Sequence, residues 1–300
     1  MDKMLFIKDD IMIYTFMLLS IIINAGKCML QNRYAKTFQQ SGTDCLLFNI
    51  FISISALLAL LIKSAFRITF TFELVLTGSA MGLCSACSYY FMSLALYQGP
   101  MSYTVFVSCC AMLIPTVSGS VIWQEPVGIF SIIGIGILLI AFYIGTANQS
   151  GGKISKRWLI YCLMMFLSSG MIGVLQKIQQ NSFFHKESDS FLIINFLSAA
   201  VFLTIPVIIR LVRRRPVAAK MLTATVRYAG LCGFGYAAIH YMNLYLSGAL
   251  PSAFFFPVYN GAVILLTTVS GAVLFKEKLN RMQYVSIAVG VLGICLINFG

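Results

Sequence analysis

Apolar runs of about 20 residues, separated by short polar segments, follow one another along the whole 300-residue chain. Wound as an α-helix, a run of that length spans the hydrocarbon core of a bilayer. Ten runs are read, at residues 11–30, 44–62, 73–97, 102–123, 127–147, 158–177, 190–210, 227–247, 252–275 and 281–299. The pattern predicts an all-α membrane protein with ten transmembrane helices.

Polar positions inside the runs are patterned too. In the eighth run Tyr236, His240, Asn243 and Ser247 stand at i, i+4, i+7 and i+11, which places them on one helical face. Ala86, Tyr90, Ser93 and Tyr97 take the same spacing in the third run. So do Ser20, Asn24, Lys27 and Gln31 in the first, and Ser169, Gly173, Gln176 and Gln180 in the sixth, with Lys177 alongside. Hydroxyls, amides and a histidine are costly against lipid, so these faces are expected to meet other helices or a water-filled cavity. Any single serine or asparagine is better explained by interhelical hydrogen bonding. Four parallel stripes favour a shared cavity. Tyr259 and Asn260 in the ninth run are further candidates for its lining. Lys27 and Lys177 either snorkel to the interface or, facing the cavity, attract a carboxylate or phosphate.

The chain also repeats itself. Residues 116–126 read TVSGSVIWQEP and residues 268–278 read TVSGAVLFKEK, with six identities at an offset of 152. Phe-Met-Ser-Leu-Ala-Leu96 aligns with Tyr-Met-Asn-Leu-Tyr-Leu246 at an offset of 150, and Asp44 and Asn49 are matched with Asp189 and Asn195. Each copy holds five helices. Five is odd, so the second copy enters the membrane from the opposite side, as two inverted five-helix repeats. The domains expected are residues 1–147, a linker at 148–157, and residues 158–300. Within the repeated motif, Gly119 and Gly271 allow close backbone approach. Glu125 and Glu277 stand at helix starts, where the positive dipole end favours them.

Composition agrees with a bilayer as solvent: 59% of residues are hydrophobic and only 10% charged. A soluble domain carries about 25% charged residues. The net charge of +12 does not indicate nucleic acid, because the basic residues lie between apolar runs and form no continuous face. Of the 21 lysines and arginines, 15 fall in the connections after the first, fifth, seventh and ninth runs. The positive-inside rule then puts both termini outside the cytoplasm. The first run lacks a small-x-small cleavage site and is read as a helix rather than a signal peptide. Cys84-Ser-Ala-Cys87 is half a zinc pattern with nothing to complete it, so no metal or cofactor is expected. All nine carboxylates lie in tails, connections or run ends, and no phosphate-cradling glycine loop is present.

The two small-residue-rich stretches ending at Glu125 and Glu277, followed by glycine-rich helices with Gly134, Gly136, Gly290 and Gly293, resemble the drug/metabolite transporter superfamily, in its ten-helix branch of two EamA-like domains. The resemblance covers nearly the whole chain. It implies a secondary transporter for metabolites or drugs, often outward, with a central cavity between the halves. It also implies peripheral fifth and tenth helices that could support a homodimer. The first helix lacks the mid-membrane glutamate of the four-helix drug exporters, so their proton-coupled cation mechanism is not carried over. Members are usually drawn with cytoplasmic termini, which the charge count opposes. The expected function is alternating-access transport of a small organic solute across the cytoplasmic membrane, as an exporter or exchanger, with no catalytic residues. The alternatives are an intramembrane enzyme, for which no nucleophile–base motif surrounds His240, and a non-transporting assembly or sensor subunit.

Overall fold

The computed structural model describes residues 2–38, 42–98, 107–108, 110–147, 156–212, 222–274, 281–297 and 299. Among them are ten α-helices: α1 (Asp2–Phe38), α2 (Gly42–Lys63), α3 (Phe72–Gln98), α4 (Leu113–Ile122), α5 (Ile129–Ala147), α6 (Lys156–Gln180), α7 (Ser188–Val212), α8 (Leu222–Ala249), α9 (Ser252–Leu274) and α10 (Arg281–Ile297). A 3₁₀ turn, His185–Glu187, precedes α7. Helices satisfy their backbone groups internally, which lipid cannot do for them. Five are long and apolar enough to cross a bilayer outright, and four more carry shorter apolar stretches. The fourth helix is described from Leu113, later than the predicted start at 102; residues 101–106 and 109 lie outside the described set. Of the expected linker, 148–155 lie outside it as well, and Lys156 and Arg157 open α6.

Helix ends follow the dipole rule. Asp44, Glu73 and Asp189 occupy first turns, whereas Lys63 and Lys177 occupy last turns. Lys63 also reaches Asp189, at 2.6 Å, joining the end of α2 to the start of α7. Between α2 and α3 the chain turns through two left-handed residues, Ala65 and Phe66.

Helix packing is two-fold. Exchanging each helix for the one five places along reproduces the most extensive helix pairings among the described residues. α3 lies against α6 and α7 as α8 lies against α1 and α2, and α4 touches α6 as α9 touches α1. Three pairs are their own counterparts: α2 with α7, α4 with α9, and α5 with α10. Glycine sets the crossings. A Cβ on Gly82 of α3 would fall 2.6 Å from the Asn195 carbonyl and 2.6 Å from Ser198 Cβ. A Cβ on Gly233 of α8 would fall 2.7 Å from the Ile52 carbonyl and 2.5 Å from Ser55 Cβ. Asn195, Ser198 and Ala199 on α7 thus correspond to Ile52, Ser55 and Ala56 on α2. The matching of Asn49 with Asn195 expected from the sequence is displaced, because small residues at the crossing set this register. Asn49 instead donates to its own helix, at Cys45 O (3.0 Å).

Two apolar clusters flank the middle of the bundle. One joins Tyr34, Phe48, Ile52, Met81 and Phe191, and the other Ile21, Leu138, Phe255 and Val263. Tyr34 stacks on Phe48 with ring centroids 4.0 Å apart. The outer surface is aliphatic: Ile132, Ile133, Leu163, Leu231 and Leu292 are all exposed, as lipid-facing positions should be.

Gly82→Leu and Gly233→Leu should each destabilise the protein by about 1–3 kcal/mol through overpacking. Gly136→Leu, where a Cβ meets nothing within 4 Å, should not. Thermal unfolding in detergent distinguishes the three.

Candidate functional site

The polar stripes of α1, α6 and α8 come together. Ser20 donates to Asn243 Oδ1 at 2.7 Å, and the Gln31 amide donates to the Tyr236 hydroxyl at 3.4 Å. Both contacts join α1 to α8. Asn24 donates to the Tyr259 hydroxyl at 2.8 Å, joining α1 to α9. Within the second half, Gln176 Nε2 of α6 lies 3.3 Å from His240 Nδ1. His240 is buried, edge-on to Phe196 at 5.3 Å and stacked with Tyr236 at 6.0 Å. The Lys27 ammonium sits 3.8 Å over the Tyr236 ring. α8 is therefore the shared wall, met by α1 on one flank and α6 on the other. Spacing of three and four residues keeps Tyr236, His240 and Asn243 on that one face.

Other candidates are placed elsewhere. Asn260 folds back to donate to Phe256 O of its own helix at 2.8 Å. Tyr90 packs beside Phe91 and against an apolar cluster containing Leu46 and Ala199. The helix-three residue at the cluster is Tyr89, whose ring meets Tyr236 edge-on at 5.3 Å. Its signal was present in the glycines: aligning Gly82 with Gly233 sets an offset of 151, one more than the offset that singled out Tyr90, and pairs Tyr89 with His240. Ser88 and Ser169 hydroxyls, 2.6 Å apart, tie α3 to α6. The side chain of Ser93 and the surroundings of Gly271 lie outside what is described, as does Glu277.

Lys177 has a different role from the cluster residues. It is buried at the end of α6 and forms an ion pair with Glu125, in the connection between α4 and α5. Its ammonium also lies 3.4 Å from Leu250 O. The other oxygen of Glu125 accepts the Ser252 backbone N–H at 2.8 Å, capping the first turn of α9. The repeated motif builds this arrangement. Gly119 O accepts from the N–H groups of both Trp123 and Glu125 at 3.2 Å, and Gln124 between them is left-handed, with φ 52°. A Cβ on Gly119 would lie 2.4 Å from Ser252 Cβ and 2.6 Å from Glu125 Oε2. Only glycine lets α4 approach α9 this closely. Partial burial works to raise the Glu125 carboxyl, but the hydrogen bonds from Lys177 and the Ser252 N–H outweigh it and hold the carboxyl below the usual carboxylate range.

Glu125→Gln and Lys177→Met should each lower stability by about 1–3 kcal/mol. The double variant should lose little more than the worse single variant, since one interaction is removed in all three. Because the folded-state carboxyl titrates below its unfolded value of about 4.3, the wild-type advantage over Glu125→Gln is full above that value. It disappears as pH falls through the folded-state pKa. Thermal melts of the two proteins across acid pH measure it.

Residues 156–299 match the model of the EamA-like transporter family. A crystal structure shares the fold across both halves, with a TM-score of 0.72, 13% identity, and coverage of 95% of this chain and 96% of that one. No curated protein matches. Residues 156–299 are thus similar to the EamA-like transporter family, and the described helices, several of them long and apolar enough to span a bilayer, are those of a multi-pass membrane protein.

Proposed function

We infer that the protein is a secondary transporter that carries a small organic solute across the cytoplasmic membrane. Residues 1–147 and 158–300 act as two halves that expose one central site to each side in turn. The observation that carries this reading is the polar cluster itself. Amides, hydroxyls, a histidine and an ammonium converge where α1 of the first half meets α8 and α9 of the second, with α6 beside them, where a structural bundle needs only small apolar residues.

The ion pair at Glu125 supports the mechanism. It ties the α4–α5 connection to α6 and α9, so it joins the two halves at one end of the bundle. Opening that end requires Glu125 to release both Lys177 and the start of α9. The distribution of lysine and arginine puts this closed end outside the cytoplasm and Lys27 towards the cytoplasmic side. An exporter or exchanger resting with its outer gate shut fits that arrangement. The exposed aliphatic faces of α5 and α10 suit lipid or a second copy of the chain.

Reconstituted in proteoliposomes, the wild-type protein should show saturable counterflow of at least one compound among amino acids, nucleosides and phosphorylated metabolites. His240→Ala combined with Asn243→Ala should raise KM roughly tenfold or more, the loss of about two hydrogen bonds. An unchanged KM in that variant would remove the site.

A further inference from the structure

Lys27 of α1 and Lys177 of α6 stand 150 residues apart, one in each half; Lys177 is in the last turn of α6, whereas Lys27 lies within α1 (Asp2–Phe38). Their electrostatic settings are opposite. Lys177 has a carboxylate, Glu125, in direct contact. Lys27 has no carboxylate partner among the described residues.

Nor does Lys27 snorkel. Its stem lies along α8, close enough that a Cβ on Gly235 would be 3.8 Å from Lys27 Cβ, and its ammonium ends over Tyr236. The groups presented near it are neutral: Asn24 and Gln31 from its own helix, with Tyr236 and Tyr259 across from them. An aromatic face returns part of the hydration that an ammonium loses inside a bundle, but supplies no neutralising charge. A fixed cation among neutral hydrogen-bonding groups is a complement for an anion.

We propose that Lys27 is the recognition group for an anionic head, a carboxylate or phosphate, on the transported solute. This rests on the transporter reading and names its substrate class. Tyr236 holds the ammonium in place. Asn24 and Gln31 offer amide N–H groups, and Tyr259 a hydroxyl, to oxygens the ammonium does not engage. The solute thereby supplies Lys27 with the counter-charge that Glu125 supplies permanently to Lys177.

Two measurements test this. The first needs no solute. Removing an uncompensated cation should leave the empty protein at least as stable, so Lys27→Met should melt at or above the wild-type temperature, whereas Lys177→Met should melt below it. A Lys27→Met variant that melts lower, as Lys177→Met does, would make Lys27 a structural residue and overturn the proposal. The second is the counterflow screen, with carboxylates, phosphate monoesters, their neutral amide or alcohol analogues, and quaternary amines as separate arms. Transport should be confined to one or both anionic arms, and which of the two responds separates carboxylate from phosphate recognition. Lys27→Gln should raise KM for the anion roughly tenfold or more. Transport of neutral or cationic solutes, or an anion KM indifferent to Lys27→Gln, overturns the proposal while leaving the transporter reading intact. Absence of flux for every arm in the wild-type protein removes the transporter reading itself.

Discussion

Close approach of helix backbones at Gly82 and Gly233 is the constraint on which the rest of the structure depends. In lipid, apolar side chains gain little by choosing a neighbouring helix over an acyl chain, so helices associate where backbones can come near. At these two crossings a carbonyl, a serine and an alanine fill the space that a side chain would take. The crossings seat α3 on α7 and α8 on α2. With α8 so seated, its one polar face has a single direction left, towards α1 and α6. The cluster of Asn243, His240 and Tyr236 is thus a consequence of packing at another face of the same helix.

The repeated TVSG-to-glutamate motif obeys the same physics at the edge of the bundle. Gly119 admits the start of α9, and Glu125 then binds the N–H group that the approach brings within reach. Lys177 neutralises the carboxylate. Removing Gly119 would push apart the groups that Glu125 joins, so the motif is one unit, although its residues act through a steric gap, a backbone turn and an ion pair.

The number and placement of the helices were legible in the sequence, because a 20-residue apolar run has one stable conformation in lipid. So were the stripes on α1, α6 and α8, where helical periodicity alone decides the face. Errors arose wherever register between helices mattered. Similarity in the Met-x-Leu-x-Leu segment suggests an offset of 150 and points to Tyr90, whereas the glycine crossing obeys 151 and Tyr89 meets Tyr236. Asn49 was matched with Asn195 on chemistry, whereas small-residue contacts set the pairing. The partner of Lys177 is Glu125, 52 residues away and in the other half. Long-range ion pairing leaves no mark in the periodicity of either helix.

Symmetry of the backbone is not symmetry of the lining. Tyr89 of α3 and His240 of α8 occupy equivalent positions, yet one is a phenol and the other an imidazole. Each half carries a buried or half-buried lysine on its first helix, but Lys177 meets the carboxylate of Glu125 and Lys27 meets the ring of Tyr236. If the proposed alternating access operates on such a frame, the carrier presents a different chemical surface to each compartment as it turns over. Its half-saturation concentrations on the two faces are then unequal, even though detailed balance keeps the equilibrium solute ratio at one when no ion gradient is coupled. The direction in which it works best is set by which side chains occupy matched places in the two halves.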